Sequence, residues 1–229
     1  MNWIELMWDI EKKVKLRFSE LNEYIEFIKF LESWIVRYKS TSTISHIINI
    51  QKSTIFLMMY NVLEYAVYAG IYNLYGTIWK KNFNKLNICV QEKIIWDFLS
   101  IKELRKSSDI VQWINKLEID INMLGISEKK DNHKPIVSWA KGSIDINIMN
   151  TVLKTYWIEV LTPIKQGDFL KVNEIKNIRN NLAHWTIAFS ELKQYSIDEI
   201  KCISEIVKSI IKEYLSRIKQ YKKNKLYLK

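Results

Sequence analysis

The residues best equipped for chemistry stand together in the string Arg179-Asn180-Asn181-Leu182-Ala183-His184-Trp185. An arginine presents a planar fork of donors that matches a phosphate, and a histidine accepts or gives a proton near neutral pH. Together they supply what metal-free cleavage of a phosphodiester needs: a cation for the phosphoryl oxygens and a group that moves a proton. The amides of Asn180 and Asn181 add donors and acceptors; Asn180 is the one placed to orient the histidine or bind the phosphate, and Asn181 reads as structural. An Arg and a His at this spacing arise by chance often enough that the pair alone decides little. Helix geometry adds a constraint. Positions five apart lie about 140° apart around a regular helix, so Arg179 and His184 would not aim at one point, whereas Asn180 and His184 share a face. Either the helix breaks before His184, or an arginine and a histidine from two copies complete one site, because a two-fold contact repeats the same residues on both sides.

Other reactive side chains are more scattered. Glu64 sits in an apolar run, Ile55 to Tyr75, where it reads as a partner for a base such as Arg179 or as an interface residue. His46 and His133 have no constellation around them. Cys89 and Cys202 make neither a metal-ligand spacing nor a disulfide framework, so neither a metal nor a cofactor is expected. Reduced thiols and the lack of a cleavable leader point to the cytoplasm.

The formal net charge is +10, which suits a polyanionic partner. Residues 201–229 hold nine Lys/Arg against Glu205 and Glu213, seven of those ten net charges. Lys208, Lys212 and Lys219, with Lys176 just ahead of the motif, are the secondary candidates for a surface that tracks phosphates. The plainer reading of the same lysines is a solvated helix face.

The elements that must carry these residues read as helices. Five glycines and two prolines in 229 residues are too few for the turns of an all-β fold, and the chain suits a single domain, 1–229. From about Trp8 to Tyr38, Val14, Phe18, Leu21, Ile25, Ile28 and Leu31 recur at three and four residues. A second helix runs from 44 to about 80, with Ser42 or Thr43 as its cap. Its apolar centre is long enough for a membrane span, but Asn61, Glu64 and Asn73 favour the core of a bundle, without a membrane. Leu86 to Lys106 is a third helix, Asp109 to Leu124 a fourth, and 127–142 a surface loop or insertion. Asp145 caps a helix from Ile146 to about Val160. After the turn at Pro163 and Gly167, Asp168 to about His184 carries the motif, and Ser196-Ile197-Asp198-Glu199 starts a last helix to about Tyr221.

The motif resembles the R-x(4–6)-H signature of the HEPN superfamily (higher eukaryotes and prokaryotes nucleotide-binding), in which a polar residue, often Asn, follows the arginine. Within it the chain looks most like the stand-alone bacterial branch of ribonucleases linked to toxin–antitoxin and anti-phage defence loci, whose members read Arg-Asn-x-x-Ala-His-Gly. The likeness extends to Tyr60-Asn61-Val62-Leu63-Glu64, Gly142-Ser143-Ile144-Asp145 and Tyr195-Ser196-Ile197-Asp198, in family order. Trp185 departs from it, standing where a glycine lets a helix close in a left-handed turn, which implies a differently shaped exit or an aromatic wall beside the site.

The resemblance implies an all-α helical bundle that forms a homodimer with the two motifs facing across the dyad. It implies a metal-independent endoribonuclease, with RNA as partner and a cognate antitoxin or nucleotidyltransferase as regulator. In it Arg179, His184 and Asn180 are catalytic, with Glu64 a secondary candidate, and Lys176, Lys208, Lys212 and Lys219 contact RNA. The rival reading is a non-catalytic HEPN module for nucleotide or RNA binding, or for dimerisation.

Overall fold

A computed structural model describes residues 3–38, 42–78, 81, 83–99, 144–163 and 165–229. The expected helix at 109–124, the insertion at 127–142, Gly142-Ser143 and His133 lie outside the described residues. Those described form α1 (Trp3–Tyr38), α2 (Ser42–Ile78), α3 (Ile88–Leu99), α4 (Ile146–Thr155), α5 (Asp168–Ala183) and α6 (Ile197–Lys223), with short 3-10 segments at Phe83–Lys85 and Phe189–Gln194. The fold is all-α: the extended pairing among the described residues is one isolated antiparallel bridge, Leu86 to Leu228.

Three long helices make the frame. In α1 the residues at three- and four-residue spacing, Met7, Ile10, Val14, Phe18, Leu21, Ile25 and Ile28, are buried, leaving the charged residues between them outside. The α1–α2 hairpin is antiparallel, tied by Lys52 to Glu32 at 2.6 Å and by the Arg17 guanidinium 3.7 Å from the Tyr65 ring centre. Helix α6 runs antiparallel to α1, through Lys201–Glu26 at 2.5 Å and Lys219–Glu11 at 2.9 Å. It therefore runs parallel to α2, beside which Gly70 faces Tyr214, Leu215 and Ile218.

Helix α2 is the centre. By length and composition it is apolar enough to cross a bilayer, yet Ile55, Phe56, Met59, Tyr60, Leu63, Ala66 and Val67 are all fully buried, on several faces at once. It packs on α1, α5, α6 and the Phe189–Gln194 segment. A helix apolar on several faces is here packed against its neighbours along much of its length.

The helix ends show how the chain manages with little glycine. Asp145 caps α4, its carboxylate accepting from the Ile148 N–H at 2.8 Å. Ser196 and Glu199 cap α6 reciprocally, Glu199 N to Ser196 Oγ at 3.2 Å and Ser196 N to Glu199 Oε2 at 2.8 Å. Helix α2 starts at Ser42, ahead of Thr43, and α4 stops at Thr155, five residues short of the expected Val160. It stops because Trp157 adopts a left-handed backbone, φ 58°. The closing bonds are Trp157 N to Lys154 O at 2.9 Å and Ile158 N to Leu153 O at 2.8 Å, the pair that defines a Schellman end. Lys225 (φ 53°) closes α6 the same way.

Candidate functional site

The motif occupies the last turn and a half of α5. Ahead of it, α5 is docked by polar contacts. Lys176 Nζ pairs with Asp145 at 2.7 Å, and Asn173 Oδ1 accepts from the Ile146 N–H at 3.2 Å. On the far side Glu174 accepts from the Tyr195 hydroxyl at 2.5 Å. Burial, followed by the Glu174 carboxylate, raises the Tyr195 phenol far above its ordinary range. Lys176 is thus half-buried and bound to the cap of α4, apart from the other three lysines named with it.

Arg179 turns inward. Its guanidinium carbon lies 5.1 Å from the centre of the Tyr60 ring, within the range of a cation–π contact. Its Nη1 donates to Asn180 Oδ1 at 3.0 Å. Tyr60 is fully buried and its hydroxyl accepts from the Ile144 N–H at 2.9 Å. Burial pushes this phenol above its ordinary value; the Ile144 N–H and the Arg179 charge oppose that, and the Glu64 carboxylate adds to it. The ring is therefore a neutral, fixed support for the cation. Glu64, one turn along α2 from Tyr60 and half-buried, belongs to the same electrostatic neighbourhood.

His184 turns outward. The helical register is kept up to it, with His184 N bonded to Asn180 O at 3.0 Å, so the offset of five positions from Arg179 is not relieved by a break. The residue is exposed and caps the helix through its backbone, leaving the imidazole open to solvent. Trp185 follows with φ 55°, and Trp185 N to Leu182 O at 3.3 Å with Thr186 N to Asn181 O at 2.9 Å close a Schellman end. The exit from the motif has the ordinary left-handed shape, made by a tryptophan instead of a glycine. Asn181 is exposed and serves this turn through its carbonyl.

The remaining lysines gather elsewhere. Lys208, Lys212 and Lys219 of α6 and Lys15 of α1 line a groove of about 740 Å³ between these helices, over a floor that includes Phe18 and Leu215. Lys219 is paired with Glu11 at 2.9 Å and Lys208 with Glu205 at 3.2 Å. Lys208 stands eleven residues into α6, about 17 Å along the helix at 1.5 Å per residue, so the groove sits at another level of the bundle from the start of α6.

Two participants escaped the sequence reading. Lys15 needs the α1–α6 packing to join the groove. Tyr60 heads a segment that carries the family likeness but was given no role at the site, although Tyr60 and Glu64, four apart, share a face of α2. Among the described residues no three His, Cys, Asp or Glu side chains converge as a ligand set. No family model, curated protein or solved structure matches this chain.

Proposed function

We propose that the chain is a metal-independent endoribonuclease of a toxin or anti-phage defence system, of the HEPN kind, working as a homodimer. The observation that supports this reading best is the division of labour at the end of α5. A cation is held in place on a buried ring, while an unencumbered imidazole faces solvent one turn later. In the reaction the 2′-oxygen of the RNA attacks phosphorus and the bond to the 5′-oxygen breaks, leaving a 2′,3′-cyclic phosphate and a 5′-hydroxyl. His184 takes the 2′ proton or returns one to the 5′-oxygen, worth about 10²–10⁴-fold. Arg179 stabilises the charge that builds on the phosphoryl oxygens. Asn180, which accepts from Arg179, keeps that fork oriented. The groove lysines Lys208, Lys212 and Lys219 lie apart from the motif and hold phosphates farther along the strand, and Lys176 acts by fixing α5.

The test is expression of the wild type beside His184→Ala and Arg179→Ala, with RNA ends mapped. Each substitution lowers cleavage by about 100-fold or more while the circular dichroism spectrum is unchanged. A single 2′-deoxy nucleotide at the scissile position blocks cutting, and a chelator does not. Cleavage that survives either substitution, or that a chelator abolishes, rules the mechanism out. Retained RNA affinity without cleavage by the wild type would favour the binding-module reading.

A further inference from the structure

Trp185 is the most exposed large apolar side chain among the described residues, at 81%. Its backbone is left-handed, φ 55°, a conformation that costs a residue with a Cβ roughly 1 kcal/mol relative to glycine. An indole left in water also forgoes the stabilisation that burial gives. Packing within the chain offsets little of this. The ring's aromatic neighbour is Phe189, 6.2 Å away and tilted by 58°.

That neighbour is well anchored. The Phe189 carbonyl accepts from Ser53 Oγ at 2.5 Å, Ser53 itself is fully buried, and Leu192 of the same segment is 2% exposed. On the other side the two Schellman bonds fix the direction in which the indole leaves the helix relative to His184, the residue before it. A flat, π-rich surface thus leaves a fixed backbone beside a solvent-facing imidazole, with one face toward Phe189 and most of its area open. The ligand chemistry that fits an exposed ring on a fixed support is another flat ring, and on RNA that is an unpaired base.

We propose that Trp185 is a base-stacking platform that seats the nucleobase next to the scissile phosphate, so that the substrate is single-stranded RNA. The proposal rests on the RNA reading of Arg179 and His184. In a duplex the base faces are covered by their neighbours and only edges are offered, so stacking on Trp185 selects loops and unpaired segments without selecting a sequence.

The experiment uses the full-length protein carrying His184→Ala, so that RNA is bound and not consumed, with fluorescence anisotropy of a labelled ten-nucleotide single strand. Adding Trp185→Gly weakens binding about five- to one-hundred-fold, as loss of one stacked base requires. The melting temperature holds or rises, because glycine suits the left-handed position. Trp157→Gly is the control: the same backbone conformation and 75% exposure, away from the motif, with binding unchanged within twofold. Trp185→Phe restores most of the affinity. In a set of strands with one abasic nucleotide each, one position loses affinity with Trp185 present and loses none further after Trp185→Gly.

Binding unchanged by Trp185→Gly, an equal loss toward duplex RNA, or a loss that tracks dissociation of the protein in sedimentation would each overturn the proposal. The two readings fail separately. If the wild type cleaves and Trp185→Gly binds and cleaves like it, stacking is wrong and the nuclease stands. If the wild type does not cleave but Trp185 governs binding of single strands, the nuclease is wrong and stacking stands.

Discussion

Lys222 shows what one buried charge does in this bundle. It is 3% exposed, and its ammonium donates to the Asn73 carbonyl at 3.2 Å and to Asn73 Oδ1. Burial lowers its pKa from the ordinary 10.5 to about 8. Between those values the folded protein has lost a proton that the unfolded chain still binds, so stability rises with pH across that window. Buried Tyr221 next to it acts in the opposite sense, but later. Burial raises its phenol to about 12, so the folded state keeps a proton that the unfolded chain loses above about pH 10. Comparing the wild type with Lys222→Met removes the tyrosine contribution. From about pH 7.5 to pH 10 the wild type gains on the order of 2 kcal/mol relative to Lys222→Met in urea titrations. A difference independent of pH would mean that the ammonium is solvated. The sequence placed Lys222 in a basic tail with its neighbours; only the parallel packing of α6 on α2 sends it inward. Arg179 has the same history. Its type and spacing were readable, whereas its partner ring, more than a hundred residues earlier, required the fold.

At the scale of elements, the α2–α6 crossing depends on Gly70. A Cβ there would lie 3.0 Å from Ile218 Cδ1 and 3.1 Å from Tyr214 Cε1, whereas at Gly76 it would meet nothing within 4 Å. Gly76→Ala therefore gains about 0.5–1 kcal/mol of helix propensity. Gly70→Val overpacks the crossing and costs about 2–3 kcal/mol, both measured from denaturation midpoints. Equal tolerance of the two changes would show that the helices are not in close contact. Helices themselves were easy to read, because apolar spacing in α1 and the Ser196–Glu199 cap of α6 are local signals. Their ends were not. With so little glycine, three helices among the described residues close with Trp157, Trp185 and Lys225 in left-handed backbone. A residue's identity does not announce that conformation when it is neither Gly nor Asn. That is why α4 was expected to run past Thr155, and why the exit at Trp185 was expected to differ in shape.

At the scale of the molecule, the two catalytic candidates look in different directions. Arg179 leans on Tyr60 in the buried face of α2, and His184 extends to solvent from a helix that keeps its register between them. A phosphate held by this arginine is not presented to this histidine by any small rotation, since about 140° of helix separates them. The proposed two-fold dimer removes the difficulty by letting each site take Arg179 from one protomer and His184 from its partner. Complementation tests this directly. Arg179→Ala and His184→Ala are each inactive alone, but when they are co-refolded at equal amounts, half of the dimers are mixed. Each mixed dimer carries one site with both residues intact and one with neither. Cleavage of a labelled single strand then returns to about a quarter of the wild-type rate. No recovery, with mixed dimers demonstrated by tagging one variant, would place both residues of a site in the same protomer. In that case α5 would have to unwind at its last turn for the two side chains to meet, and the Schellman bonds of Trp185 and Thr186 would be the ones to break.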